Sequence, residues 1–300
     1  MKRLILVLLV FFLFAPVRGA LVKPCIVASI FPLYEIARGV GSPQAEVYLL
    51  LPPGADPHSW EPTPKDIMLL TRANILFVIG QGLEPWLNDL RKGLEKRHQK
   101  ILLASKGAPL IHLEHHKKTA HSGVDPHIWL DFRWDAVLCQ RLADLLGQVD
   151  PVHRGLYQER AQKLAEKFLK LDQAYRQRLA HCRSRKLVLA GHAAFGYLAR
   201  NYHLEMISLA GLSPEAEPSP KVLAELIKSL RKNRVSAIFY EHPSSRRFAE
   251  VLANEIGAKI LYLSPGASLT QEEIKAGISF FDLMYRNLDY LAQGLSCSQN

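Results

Sequence analysis

Two copies of the tripeptide Asp-Pro-His, Asp56-Pro57-His58 and Asp125-Pro126-His127, stand apart among twelve histidines, and a third candidate, His192, ends a short apolar run. Neutral imidazoles meeting from separate segments make a nitrogen-rich site suited to Zn(II) and, less selectively, to other late divalent metals. Any one of these histidines alone is more simply a capping or hydrogen-bonding group. The repeated tripeptide together with a third histidine favours a ligand set. The proline before His58, and again before His127, narrows the backbone and suits a rigid ligand loop. A second group, His112, His115, His116 and His121, falls within one short polar stretch and fits an auxiliary, low-affinity metal-binding segment. Lys117 and Lys118 in the same stretch count against tight capture, so an ordinary exposed loop reads equally well.

For the three candidates to meet, the chain must deliver them to one face. Apolar, β-branched runs at Cys25–Ile30, Glu46–Leu51, Ile75–Ile79 and Ile101–Ala104 read as strands, as do Lys186–Ala190, Glu205–Leu209, Val235–Tyr240 and Lys259–Leu263. Helical patterns fall between them: Pro32–Val40, one from about Pro64, Leu83–Leu94, Phe132–Leu146, and a last one over Gln271–Leu291. Such alternation implies parallel sheets covered on both faces. Between the two sets of strands, Leu156, Ala161, Leu164, Phe168, Leu171, Tyr175 and Leu179 form one stripe of a long amphipathic helix from Pro151 to His181, with Asp150-Pro151 as its cap and first turn. About thirty residues make a rod of roughly 45 Å, longer than one small domain is wide. A coiled coil would need helical neighbours, and the flanks read as β/α.

The expected fold is therefore α/β, with two β/α lobes of four-stranded parallel sheets linked by one long backbone helix and a metal cleft between the lobes. The boundaries are a leader at 1–19, a first lobe at 20–150, the linking helix at 151–182 and a second lobe at 183–300. The halves also look alike. Ala28-Ser29-Ile30-Phe31-Pro32-Leu33-Tyr34-Glu35-Ile36-Ala37-Arg38 can be laid on Ala190-Gly191-His192-Ala193-Ala194-Phe195-Gly196-Tyr197-Leu198-Ala199-Arg200, and Glu61-Pro62-Thr63-Pro64-Lys65 on Glu217-Pro218-Ser219-Pro220-Lys221. In this scheme His58, His127 and His192 stand at or beyond the carboxyl ends of strands, where open α/β sheets bind ligands.

Lys2 and Arg3 precede an apolar run, Leu4–Ala15, and Val17-Arg18-Gly19 offers a cleavage site before Ala20. The run is short for a membrane span. An exported, soluble, periplasmic protein is expected, and Val22-Lys23-Pro24 before Cys25 does not form a lipid-attachment motif. Loss of Lys2, Arg3 and Arg18 lowers the formal charge from +10 to +7. The basic residues are scattered beside acids, so a solvated surface is expected and nucleic acid is not. The chain reads as a monomer. Four cysteines, Cys25, Cys139, Cys182 and Cys297, allow a disulfide in an oxidising compartment, with the pairing left open.

These residues resemble a known family. Pro53-Gly54-Ala55-Asp56-Pro57-His58 with Glu61-Pro62-Thr63-Pro64-Lys65-Asp66 resembles the first motif of zinc/manganese ABC-transporter substrate-binding proteins. Asp125-Pro126-His127-Ile128-Trp129-Leu130-Asp131 is similar to the second and Gly191-His192-Ala193-Ala194-Phe195-Gly196-Tyr197 to the third, and Gly211-Leu212-Ser213-Pro214 through Pro220 is also family-like. The resemblance implies a metal, Zn(II) first and Mn(II) or Fe(II) as alternatives, held in the cleft as cargo for a membrane permease. It places His58, His127 and His192 at family ligand positions, and zinc-type members carry a histidine-rich loop.

One departure matters. Ser264 stands where the family often supplies a fourth ligand, an aspartate; a neutral serine serves a hard cation poorly, which disfavours manganese. The fourth position is left to water or to Glu241, which reads equally as a hydrogen-bonding or capping group; Glu61 has the same two readings, with a structural role favoured. Three histidines, an open position and a nearby carboxylate are also the ground plan of a zinc hydrolase. HExxH, a nucleophile elbow and a Ser/His/Asp context are all absent, so binding is favoured over catalysis.

Overall fold

Strands β1 (Cys25–Ala28), β2 (Glu46–Leu49), β3 (Ile75–Val78) and β4 (Lys100–Leu103) pair in parallel in the order β2-β1-β3-β4. The same order recurs as β6-β5-β7-β8 in β5 (Lys186–Leu189), β6 (Glu205–Ser208), β7 (Ala237–Tyr240) and β8 (Lys259–Tyr262). This is a computed structural model, and it describes residues 22–95, 99–112, 123–208 and 220–298. The leader and the Gly211–Ser219 stretch lie outside the described residues. Central β3 is buried along its whole length, whereas the edge strand β2 alternates exposed and half-buried positions. That contrast is what a parallel sheet covered on both faces requires.

The helices are α1 (Phe31–Gly41), α2 (Pro64–Arg72), α3 (Leu87–Glu95), α4 (Phe132–Val149), α5 (Arg154–Ala180), α6 (Gly196–Asn201), α7 (Pro220–Lys232), α8 (Pro243–Ile256), α9 (Gln271–Lys275) and α10 (Phe280–Gly294). Side chains alternate across each strand. On one face of the first sheet, Val27, Leu76 and Val78 meet Leu70 of α2 and Leu87 of α3. On one face of the second, Val188 and Ile238 meet Leu230 of α7 and Leu252 of α8. The remaining faces share a single core, in which Ile26 and Phe77 of one lobe and Leu187 and Phe239 of the other join Phe168 and Leu171 of α5. The lobes are thus fused through α5 rather than strung along it.

The sequence-derived stripe on this helix needs one correction. Leu156 is 40% exposed, and Tyr157 is buried in its place, its hydroxyl donating to Asp150 Oδ2 at 2.7 Å. One helical turn back from buried Ala161 is Tyr157; Leu156 lies five residues back and points away. Asp150-Pro151 opens a short 3-10 turn, Pro151–His153, and the Asp150 side chain binds Tyr157 and His153 Nδ1 instead of capping a backbone amide. Helix α4 folds back along most of α5: Gln158 reaches Asp144 at 2.7 Å near one end, and Phe132 meets Tyr175 edge-on near the other. Between these contacts, Phe168 of α5 packs on Phe281 of α10.

The single helix expected over Gln271–Leu291 is two. Gly277 adopts φ +67°, which ends α9, and Ser279 starts α10 by accepting the Asp282 N–H while the Asp282 carboxylate accepts the Ser279 N–H. Cys182, just beyond α5, forms a disulfide with Cys297, just beyond α10, which closes the second lobe upon itself; Cys25 and Cys139 are free. Among the described residues no helix is long and apolar enough to cross a membrane.

Candidate metal centre

Beyond β2 the chain turns through Gly54 into Asp56-Pro57-His58, where Asp56 Oδ1 accepts the His58 N–H at 2.9 Å. Beyond β4 the second tripeptide does the same: Asp125 Oδ1 accepts the His127 N–H at 2.9 Å. Each is an Asp side chain closing a turn on the backbone two residues on, with proline holding the middle. The third histidine is fixed from farther away. Three residues past β5, the His192 N–H donates to Glu241 Oε1 at 2.8 Å, and Glu241 follows directly on β7.

These loops bring the three imidazoles together. His58 Nε2 lies 3.3 Å from His127 Nε2, and His127 Nε2 lies 3.2 Å from His192 Nε2. One ligand atom from each residue lies within 4.8 Å of the others. Zinc–nitrogen bonds of about 2.0–2.1 Å in a tetrahedral site put neighbouring nitrogens about 3.3–3.4 Å apart, so the observed spacings are close to tetrahedral edges.

The other ring nitrogens show which tautomers are present. Asp125 Oδ1 lies 2.7 Å from His127 Nδ1, and Glu241 Oε1 lies 2.5 Å from His192 Nδ1. An ionised carboxylate can only accept, so against it each Nδ1 carries the proton and donates. The Nε2 lone pairs of His127 and His192 then face each other and call for a cation between them. His127 is 1% exposed and His192 7%, while His58 is only half-buried, so the cluster opens to solvent on the His58 side. Burial alone would lower the His192 pKa; the Glu241 hydrogen bond and charge, with Asp56 and Asp125 behind them, outweigh it and raise the pKa above its ordinary value.

Two glycines make room for these carboxylates. A Cβ on Gly191 would strike Glu241 Oε1, and one on Gly196 would strike Asp125 Oδ2. The spacing of the Gly-His-Ala-Ala-Phe-Gly stretch therefore has a steric cause. Bonds between the lobes flank the cluster: Gly54 N–H to Leu269 O at 2.9 Å, Phe31 N–H to Ala267 O at 3.0 Å, and Trp129 Nε1–H to Pro265 O at 2.7 Å.

The remaining sequence candidates divide clearly. Glu241 stands behind His192, bound to Nδ1 on the side of the ring away from the shared Nε2 corner; its Oε2 is buried without a hydrogen-bond partner among the described residues. Ser264 is buried in the loop after β8. Its backbone is held at both ends by Asn287, and its Oγ accepts the Gly266 N–H at 3.2 Å. Glu61 is exposed. His112 pairs with Val124 in an antiparallel bridge and is not in the cluster, while His115, His116 and His121 lie outside the described residues. Sequence reading passed over Asp125 as a partner of His127; the short Asp-Pro-His spacing was the available signal.

Comparison with known proteins points the same way. A family model described as zinc-uptake complex component A, periplasmic (ZnuA), matches residues 26–294. The high-affinity zinc uptake system protein ZnuA of Bacillus subtilis is 34% identical over 283 residues, covering 90% of this chain and 87% of that protein. The zinc-binding lipoprotein AdcA of Streptococcus pneumoniae strain R6 is 33% identical over 276 residues; the match covers 89% of this chain and 55% of that longer protein. The crystal structure of the Zn(II)-bound ZnuA-like domain of Streptococcus pneumoniae AdcA superposes with a TM-score of 0.78 at 33% identity, covering 91% of this chain and 99% of that one.

Proposed function

The chain belongs to the zinc-uptake complex component A periplasmic family, and on that premise we propose that it captures Zn(II) outside the cytoplasm and delivers it to an ABC-type importer. As an uptake component it is a binding protein and not an enzyme, which sets aside the three-histidine hydrolase. The observation that carries the reading is the convergence of three Nε2 atoms, His127 and His192 3.2 Å apart and His58 3.3 Å from His127. His58, His127 and His192 are the proposed ligands. Asp125 and Glu241 orient two of them, as carboxylates behind metal-bound imidazoles commonly do. The fourth position goes to water, since Glu241 is held at Nδ1 on the far side of the His192 ring, and Ser264 takes no part. Ligation by three imidazole nitrogens favours zinc over manganese.

The leader at 1–19 is proposed to be removed on export, giving a periplasmic protein that acts as a single chain and meets its permease through the zinc-loaded form. The histidines at 112, 115, 116 and 121 are proposed as a weak auxiliary zinc-collecting segment.

The test is a titration of metal-free mature protein with Zn(II) against a chromophoric chelator, repeated with Mn(II) in excess. One tightly held zinc per chain that survives the manganese is expected. Displacement by manganese would move the assignment to Mn(II), and failure to bind either ion would remove the metal role altogether.

A further inference from the structure

Helix α6 begins four residues after His192, and one side of it grips the segment of the other lobe that carries His127. Tyr197 is fully buried. Its hydroxyl donates to the Asp125 carbonyl at 2.8 Å and accepts the Ile111 N–H at 3.2 Å, while the Ile111 carbonyl accepts the Asp125 N–H at 3.0 Å. One turn on, Arg200 lies over the Tyr197 ring and donates to Pro109 O at 2.6 Å and to Asp131 Oδ2 at 3.1 Å. Gly196 lets the Asp125 carboxylate lie against the start of the helix. Residues 196, 197 and 200 therefore hold Pro109, Ile111, Asp131 and Asp125 itself, the residue that fixes the His127 ring.

We propose that α6 is a clamp that sets the spacing between His127 and His192 before metal arrives, with Tyr197 as the positioning residue acting on His127 through Asp125. His192 and the clamp share one short stretch, so any displacement of α6 would move the two Nε2 atoms relative to each other. The proposal deepens the zinc reading above and rests on it. Preorganisation of this kind keeps two ligands in register, so that less of the binding free energy goes into ordering them.

The experiment compares wild type with Tyr197→Phe in Zn(II) competition titration, in zinc release to excess chelator, and in the visible spectrum of the Co(II)-loaded protein. Phenylalanine keeps the packed ring and removes only the hydroxyl. Expected are a zinc affinity lower by about tenfold or more, carried by faster release, and an altered Co(II) ligand-field band. A purely structural tyrosine would lower the thermal midpoint of the metal-free protein and leave release rate and spectrum alone; that result, or values within twofold of wild type, overturns the clamp. If Tyr197→Phe does not fold, Arg200→Lys at the outer side of the same grip carries the test, with a several-fold loss expected and no loss overturning the idea. Wild type lacking a zinc site would instead defeat the functional reading, so the two failures are distinguishable.

Discussion

Glu241 Oε1 lies 2.5 Å from His192 Nδ1 and also accepts the His192 backbone N–H at 2.8 Å, so one carboxylate oxygen fixes both the main chain and the ring of a histidine 49 positions away. Removing that oxygen frees the ring to rotate and to carry its proton on either nitrogen. Glu241→Ala should weaken zinc binding by about 10–100-fold, the usual cost of losing such a partner. Glu241→Gln should cost less, because an amide oxygen can still accept from Nδ1. Titration of the two variants side by side checks this; equal losses would mean that the charge, and not the acceptor, matters.

Gly191 supplies an independent handle on the same contact. It is not a ligand, yet its Cα faces Glu241 so closely that a Cβ would overlap Oε1. Gly191→Ala should push the carboxylate off the imidazole and reproduce most of the Glu241→Ala loss in zinc affinity. Circular dichroism would establish that the second lobe remains folded. Zinc binding unchanged from wild type would show that the carboxylate can shift without consequence.

How much of this could be read beforehand follows from the range of the interactions involved. The strands were legible because Ile75–Val78 and Lys186–Leu189 are short apolar runs whose burial their composition dictates. The duplication was legible in outline, and the two sheets share one strand order. His58 and His127 were legible through a repeated local tripeptide. What escaped depends on contacts between distant segments or on helical phase: that His192 is the partner of Glu241, whose hydrogen-bonding role was one of two readings, the Cys182–Cys297 pairing, and Tyr157 turned inward in place of Leu156. The break at Gly277-Ile278-Ser279 was a local signal, a glycine followed by a serine and an acid three residues on, hidden by the strength of the apolar periodicity around it.

Acid should act on the metal-free and zinc-loaded proteins in opposite directions. The His192 pKa is raised in the folded chain above 6.5, mainly because Glu241 outweighs the burial penalty. A raised folded value means the pair stabilises the metal-free protein fully below the unfolded pKa and loses that contribution as pH rises through the folded one. Zinc requires the neutral imidazole, so affinity falls as pH drops through the same window, starting above the ordinary value. Thermal midpoints with and without Zn(II) across pH 5–9 should therefore converge toward acid (about two units either side of neutrality, bracketing the histidine range). In Glu241→Gln the convergence should shift to lower pH.

The disulfide and the metal stabilise different parts of the molecule. Cys182–Cys297 spans 115 positions and closes the second lobe just beyond the ends of α5 and α10, and neither cysteine belongs to the histidine cluster. Reduction of the metal-free protein should lower stability by about 2–4 kcal/mol. Zinc should then restore roughly what it adds to the oxidised protein, about 4 kcal/mol at a free concentration a thousand times the dissociation constant. Denaturant unfolding of oxidised and reduced protein, each with and without Zn(II), checks the additivity. A zinc increment lost on reduction would show that the bridge supports the metal centre.

Ser264 tests whether the loop after β8 has any part in holding the ion. Its Oγ accepts a local N–H, from Gly266, and also bonds the nearby Tyr262 side chain, and its peptide groups are bound by Asn287 through a 3.0 Å bond to Oδ1 and a 2.7 Å bond from Nδ2. Ser264→Ala removes these local side-chain hydrogen bonds and leaves the Asn287 pair intact. Stability should fall by about 1 kcal/mol while zinc affinity stays within twofold of wild type. Asn287→Ala cuts the loop loose from α10 and should destabilise the chain more, again with the histidine cluster preserved. Competition titration and thermal unfolding of both variants separate the outcomes. A tenfold loss of zinc affinity in Ser264→Ala would place the serine among the ligands, and the fourth position would then belong to its hydroxyl instead of to water.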